Sequence, residues 1–253
     1  MRALIALVLV LLLAALAYVG AGPAGMEFAF GAVIPYAAIA LFLAGLVYRV
    51  LRWAWTPVPF RIPTTCGQQK TLPWMKWSRL ESPFTALGVV GRMALEVLLF
   101  RSLFRNTRVE LKEGPRILFG ENKWLWLAAV AFHWSFLVIF LRHLRFFMEP
   151  VPFCVNLLDR ADSFLQIGAP LLYATDVVVV AGLLYLLYRR LGEPQVRYLS
   201  LVADYFALFL LLGLALSGIL MRYFTRVDLQ GVKELAMGLV TFRPAVPANV
   251  GAL

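Results

Sequence analysis

Histidine is almost missing from this chain, with two in 253 residues, and cysteine is as scarce, with Cys66 and Cys154 alone. Neither cysteine belongs to a CxxC pair or a Cys/His cluster, so the chain by itself builds no iron–sulfur or zinc site. Charge is sparse too: 15% of residues are Asp, Glu, Lys or Arg, against about 25% in an ordinary soluble domain. Acidic side chains number 14 against 24 basic ones, a net charge of +10. Hydrophobic residues fill the space, at 62% of the chain and a mean hydropathy of +0.80. This composition excludes a water-soluble globular domain and reads as an all-α, polytopic membrane protein. A β-barrel would alternate apolar and polar residues over short segments, and the runs here are continuous. The positive excess belongs to cytoplasmic loops and anionic membrane lipid, with no basic soluble domain to bind nucleic acid.

Five apolar runs are long enough to span a bilayer: 3–20, 29–48, 124–141, 165–188 and 201–221. The first follows Arg2 like a signal sequence, but it is too long and too lightly charged, so we read a retained span. Pro35 predicts a kink in the second, which closes at Arg49, Arg52, Trp53 and Trp55. Residues 83–104 are nearly apolar enough to span. Arg92 and Glu96 fall at their centre, and each would cost about 2.5–3.5 kcal/mol on insertion. As an i,i+4 pair they suit an amphipathic helix lying at the interface or against a partner. Asp176 falls in the middle of the fourth run, either protonated and hydrogen-bonded or part of a proton route. Residues 229–242 form a last amphipathic piece.

Positive charge places 1–2, 49–123 and 189–200 inside, and 21–28, 142–164 and 222–253 outside. Arg222 and Arg226 are the exceptions. Cys66 and Cys154 then lie on opposite sides, so no disulfide joins them. The expected organisation is two N-terminal transmembrane helices (1–52), a basic cytoplasmic loop with its interfacial helix (53–123), and a helical bundle (124–253). The stretch 49–123 carries thirteen Lys/Arg against five Asp/Glu. It is a docking face for a soluble subunit, for anionic lipid, or for both.

Both histidines lie on the third span. His133 is within it and His143 is at its end, ten residues on. That is about 15 Å along a helix and about 80° in azimuth. They cannot share one metal, but each could hold a flat cofactor at its own depth, as one half of a two-haem b-type site. The bland reading is a membrane histidine hydrogen-bonded to a neighbouring helix. Two bis-histidine haems need four imidazoles, so the other ligands come from elsewhere, or no such site exists. Met221, at the end of the fifth span, is one alternative ligand.

The stretches TTCGQQKTLPW (64–74), LGVVGRMALEVLLFRSLFRNTR (87–108) and KWLWLAAVAFHWSFLVIFLRHLRFF (123–147) together resemble the DsrM family. Those are the cytochrome b subunits of the DsrMKJOP membrane complex associated with dissimilatory sulfite reductase. Their haem bundle is similar to that of NarI, the cytochrome b subunit of respiratory nitrate reductase. The resemblance implies a NarI-like transmembrane helical bundle holding two haems b. It makes His133 an axial ligand of the inner haem and His143 of the outer one. Their partners belong to a final histidine-bearing helix that does not appear before Leu253. The apolar end Gly251-Ala252-Leu253 reads as the entry into that further C-terminal span.

Arg142 and Arg145 flank His143 and suit haem propionates or a quinone carbonyl, against the plainer role of arginines snorkelling to headgroups. The implied function is menaquinol oxidation near the outer haem. Electrons would cross to an iron–sulfur subunit resembling heterodisulfide reductase (DsrK) and on to the sulfur carrier DsrC. Sulfur oxidisers would run the flow in reverse. The implied location is the cytoplasmic (inner) membrane. The competing readings are a cofactor-free membrane anchor for a redox complex and the gamma-type cytochrome b of a nitrate reductase-like enzyme. A transporter, hinted at by Asp176 and Pro35, lacks repeats and paired broken helices.

Overall fold

The computed structural model describes residues 1–57, 74, 80, 81, 83–111, 117–163 and 171–247. Cys66, most of the 64–74 motif, the first part of the expected fourth span and the last six residues lie outside the described residues. Four helical segments are long and apolar enough to cross a membrane: Arg2–Ala21, Ala29–Trp55, Lys123–Phe146 and Val202–Thr225. The chain divides into two compact units, one of Met1–Tyr48 with Ala131–Leu253 and one of Arg49–Val130.

In the first unit, α1 (Arg2–Ala21) has no charged residue after Arg2 and packs on α9 (Val202–Ile219). With hydrocarbon on all sides, close packing rather than water exclusion drives such a pair. Small residues allow it: Ala6 and Val10 are buried in α1, and a Cβ on Gly213 of α9 would sit 3.7 Å from Val10. Arg2 fixes the register by donating to the carbonyls of Tyr198 and Ser200, just before α9 begins. The two spans therefore run in the same direction. Asp204 closes the start of α9 by accepting from the Leu201 amide at 2.8 Å.

The irregularity expected at Pro35 takes the form of a π-turn. Residues Ala29–Val33 wind as a π-helix that runs into α2 (Ile34–Trp55). A proline inside a helix lacks an amide donor and its ring presses on the carbonyl four residues back. That carbonyl is Gly31, inside the widened turn. Helix α10 (Leu229–Val240), opened by the Asp228 side chain at the Gln230 amide, packs on the 3₁₀ turn Leu144–Phe146. Tyr36 donates to the Leu239 carbonyl at 2.9 Å and stacks on Phe242.

The fourth expected span, 165–188, is corrected in extent. Its described part, α7 (Ala174–Gly192), packs on α9, and is followed by α8 (Pro194–Leu199). Asp176 lies in the first turn of α7 rather than mid-span, and Arg189 and Arg190 lie in the last. Three charges in 19 residues keep it out of the four apolar spans.

In the second unit, residues 86–99 form α3, a helix of 14 residues. At about 21 Å it falls short of the roughly 30 Å of bilayer hydrocarbon. The Arg92–Glu96 pair forms at 2.7 Å. The helix stops at Phe100, whose φ of 49° turns the chain into α4 (Arg101–Phe104). Glu96 then accepts from the Ser102 amide at 3.0 Å and from its hydroxyl at 2.6 Å. Trp126, at the start of α5 (Lys123–His143), donates to the Leu99 carbonyl and meets the Phe104 ring edge-on. A two-stranded antiparallel hairpin, β1 (Thr107–Leu111) and β2 (Ile117–Glu121), was not legible in the sequence.

Glu81 gathers three guanidinium groups: Arg92 at 2.9 Å, Arg101 at 2.5 Å, and Arg105. The hydrogen bond from Arg101, opposed by burial and reinforced by Arg92, holds its carboxyl below the ordinary range. A depressed folded value means the stabilisation is complete above the unfolded value of about 4.3 and fades as pH falls through the lower folded one. Acidification below about pH 4 is therefore expected to lower hydrogen-exchange protection across residues 86–104. Glu81→Gln should have low protection already at neutral pH and a flatter pH response. Identical profiles for the two proteins would remove Glu81 from this role.

Candidate functional site

Helix α5 presents two unlike faces. Ser135 and Arg142, seven residues apart, are buried. On the other side His133, Phe136, Leu137, Phe140 and His143 are exposed, within about 120° of azimuth. The described residues do not cover this stripe. Histidines in membrane helices face a bundle interior or a partner rather than lipid, so the stripe calls for one.

The tautomer at His143 is legible. Its Nδ1 lies 2.7 Å from the Ile139 carbonyl oxygen, which can only accept. In the neutral ring Nδ1 then carries the proton and Nε2 the lone pair, the arrangement of a metal-ligating imidazole oriented by a backbone carbonyl. His133 meets the Phe132 ring edge-on at 4.8 Å between centroids. Among the described residues no group of three or more His, Cys, Asp or Glu could hold a metal. The phenylalanines between the two, Phe136 and Phe140, are exposed and apolar and would suit a flat macrocycle. The residues present fit haem on these grounds.

The arginines expected beside the cofactor point elsewhere. Arg142 lies about 180° around the helix from His133. Its guanidinium is 2.8 Å from Asp162 on α6 (Phe153–Asp162) and 3.4 Å from Asp176. Arg145 pairs with Asp159 at 2.9 Å. Both charges are answered within the chain, rather than aimed at the exposed stripe.

These pairs belong to a cluster that composition did not reveal. Asp162 also accepts from the amide and hydroxyl of Thr175, at 2.9 and 2.6 Å. Tyr173 donates to Asp159 at 2.7 Å, and Tyr223 to Asp176 at 2.9 Å. The π-turn Leu220–Thr225 that ends α9 carries Arg222 and Tyr223 into the group. The guanidinium groups of Arg142 and Arg222 lie 3.6 and 4.1 Å from the Tyr173 ring centroid. Arg222, which had run against the charge pattern, thus lies over the rings of Tyr173 and Tyr223, beside the pairs that Arg142 and Arg145 make with the three aspartates. Burial would raise the Asp159 carboxyl, but the Tyr173 hydroxyl and Arg145 outweigh it and hold it low. Asp176 is thus a structural ion-pair partner at a helix start. Arg226, with φ of 52°, ends the π-turn.

Residues 88–250 match the nitrate reductase gamma subunit family. The chain belongs to that family. The gamma-subunit match spans the imidazole helix and the clustered ion pairs, and it agrees with a multi-pass helical membrane bundle. A protein of Archaeoglobus fulgidus named Hdr-like menaquinol oxidoreductase cytochrome b-like subunit is 44% identical over 216 residues, covering 84% of this chain and 64% of its own length. A protein of Archaeoglobus profundus with the same name is 39% identical over 218 residues, covering 85% of this chain and 64% of its own. The chain thus spans less than two thirds of these relatives. No solved structure matches.

Proposed function

We propose that the chain is a membrane cytochrome b-like subunit of a quinol-linked oxidoreductase, with His133 and His143 each giving one axial imidazole to a haem b. The observation that carries this is the His143 ring, tied through Nδ1 to its own helix and lying on the exposed stripe it shares with His133. Bound there, haem iron would supply one-electron redox capacity at two depths, which the side chains themselves lack. The chain's part is to set the depths, to orient the rings and to keep water off with Phe136, Leu137 and Phe140. With two histidines in the sequence, a second imidazole for either iron is not supplied by residues 1–253, and Met221 is the alternative ligand within them.

The relatives' name supports menaquinol as the electron donor and a complex with other subunits. The sequence motifs support the narrower DsrM-type role, in which one of them is an iron–sulfur subunit of sulfur metabolism. The histidine count favours a second reading, a membrane anchor without cofactor.

The two readings part on a spectrum of the natural protein purified from membranes. A reduced menaquinone analogue is expected to raise a b-type α-band. A protein with no such band, even after dithionite, is an anchor.

A further inference from the structure

Where α1 and α9 begin and α7 ends, the first unit forms a groove of about 500 Å³. Arg2, Arg197 and Tyr198 line it, over an apolar floor that includes Ala3, Leu191 and Pro194. The positive side chains nearby differ in what answers them. Arg190 is met by Asp204 at 3.5 Å and the Ser200 hydroxyl at 3.0 Å, and Arg189 by Glu193. Arg2 meets only the carbonyls of Tyr198 and Ser200, and among the described residues neither Arg2 nor Arg197 pairs with a carboxylate. Tyr198 is 83% exposed, with its phenol at the groove rim. Two arginines without a described carboxylate partner and a tyrosine thus line one small concavity.

Its depth in the membrane follows from the fold. The spans Arg2–Ala21 and Val202–Thr225 both start at this level and run the same way. The positive ends of two helix dipoles therefore lie at this level, with Asp204 capping that of α9. The charge pattern puts 1–2 and 189–200 on the inner side, where anionic lipid concentrates. An anion with an attached hydrocarbon chain matches all three features: charge, an apolar floor and interfacial depth. We infer that this groove binds the phosphate of an anionic phospholipid. Arg197 and Arg2 grip the phosphate bidentately, Tyr198 donates to it, and the first carbons of an acyl chain lie on Leu191 and Pro194. The site stands apart from the α5 stripe and does not depend on the redox reading.

The test is native mass spectrometry of the purified protein titrated with phosphatidylglycerol or phosphatidylcholine. One phosphatidylglycerol per chain is expected to survive activation that strips phosphatidylcholine. Arg197→Gln should weaken its retention about tenfold, the loss of one charge-assisted contact, and Arg197→Glu more. Arg197 is exposed and has no described carboxylate partner, so both variants should keep the parent's melting temperature. Millimolar inorganic phosphate should leave the lipid in place. Equal retention of the two lipids, retention unchanged by Arg197→Glu, or displacement by inorganic phosphate would each overturn the inference. The last would assign the groove to a free anion.

Discussion

Replacing His143 by alanine is expected to remove one haem from the natural protein, leaving about half the parent's haem per chain. Replacing His133 should remove the other. The reason lies in how the ligands are held. On the proposed reading His143 would be the residue of this chain that holds that haem, and without it only packing on the stripe would remain. Alanine at 143 removes the imidazole together with its Nδ1–Ile139 hydrogen bond, and His133, ten residues away, is too far to replace it. The two variants should differ in which band of the reduced-minus-oxidised spectrum disappears, because the imidazoles sit about 15 Å apart in depth. Pyridine haemochrome assay per chain is the measurement. The stripe is exposed, so neither alanine opens a cavity within the chain, and a folded variant is expected from both. If both variants carry the parent's full haem content, the imidazoles are not ligands and the anchor reading gains.

Asp162→Ala is expected to cost about 3–5 kcal/mol of stability, the range for stripping one partner from a buried ion pair. The carboxylate is 4% exposed and holds three groups: the Arg142 guanidinium, the Thr175 amide and the Thr175 hydroxyl. Its loss leaves Arg142, itself 8% exposed, with Asp176 alone at 3.4 Å. Asp162→Asn keeps an acceptor for Thr175 and should lose less. The double change Arg142→Met with Asp162→Leu removes both charges, and it should recover much of the deficit because neither desolvation cost remains. Melting in detergent, followed by circular dichroism, gives the three values. A loss for Asp162→Ala no greater than that of an exposed alanine substitution would show the cluster to be dispensable.

The spans were plain in the sequence because lipid demands twenty apolar residues, and that demand is written locally. The rejection of residues 83–104 as a span rested on the same rule, and Arg92 and Glu96 do pair there. His133 and His143 stood out because an imidazole in an apolar run has no bland local explanation. The cluster around Tyr173 was hidden for the opposite reason. Asp159, Asp162 and Arg222 sit in polar or boundary segments where a charge needs no explaining. Their clustering depends on how the π-turn after α9 comes to meet α6. Asp176 was read as mid-span because the run 165–188 looks continuous, whereas the helix begins only at Ala174. Arg142 and Arg145 were placed beside the cofactor by adjacency to His143, yet consecutive helical residues lie about 100° apart. Sequence proximity on a helix says little about shared direction.

The bond from the His143 ring to its own helix reaches beyond chemistry to how such a chain can change over generations. Ring and backbone move as one body, so nothing loose remains to absorb an error of phase. A single codon gained or lost between positions 133 and 143 would swing one imidazole about 100° away from the other's side. Indels are thereby barred from that decade of residues, while the connecting loops stay free to lengthen.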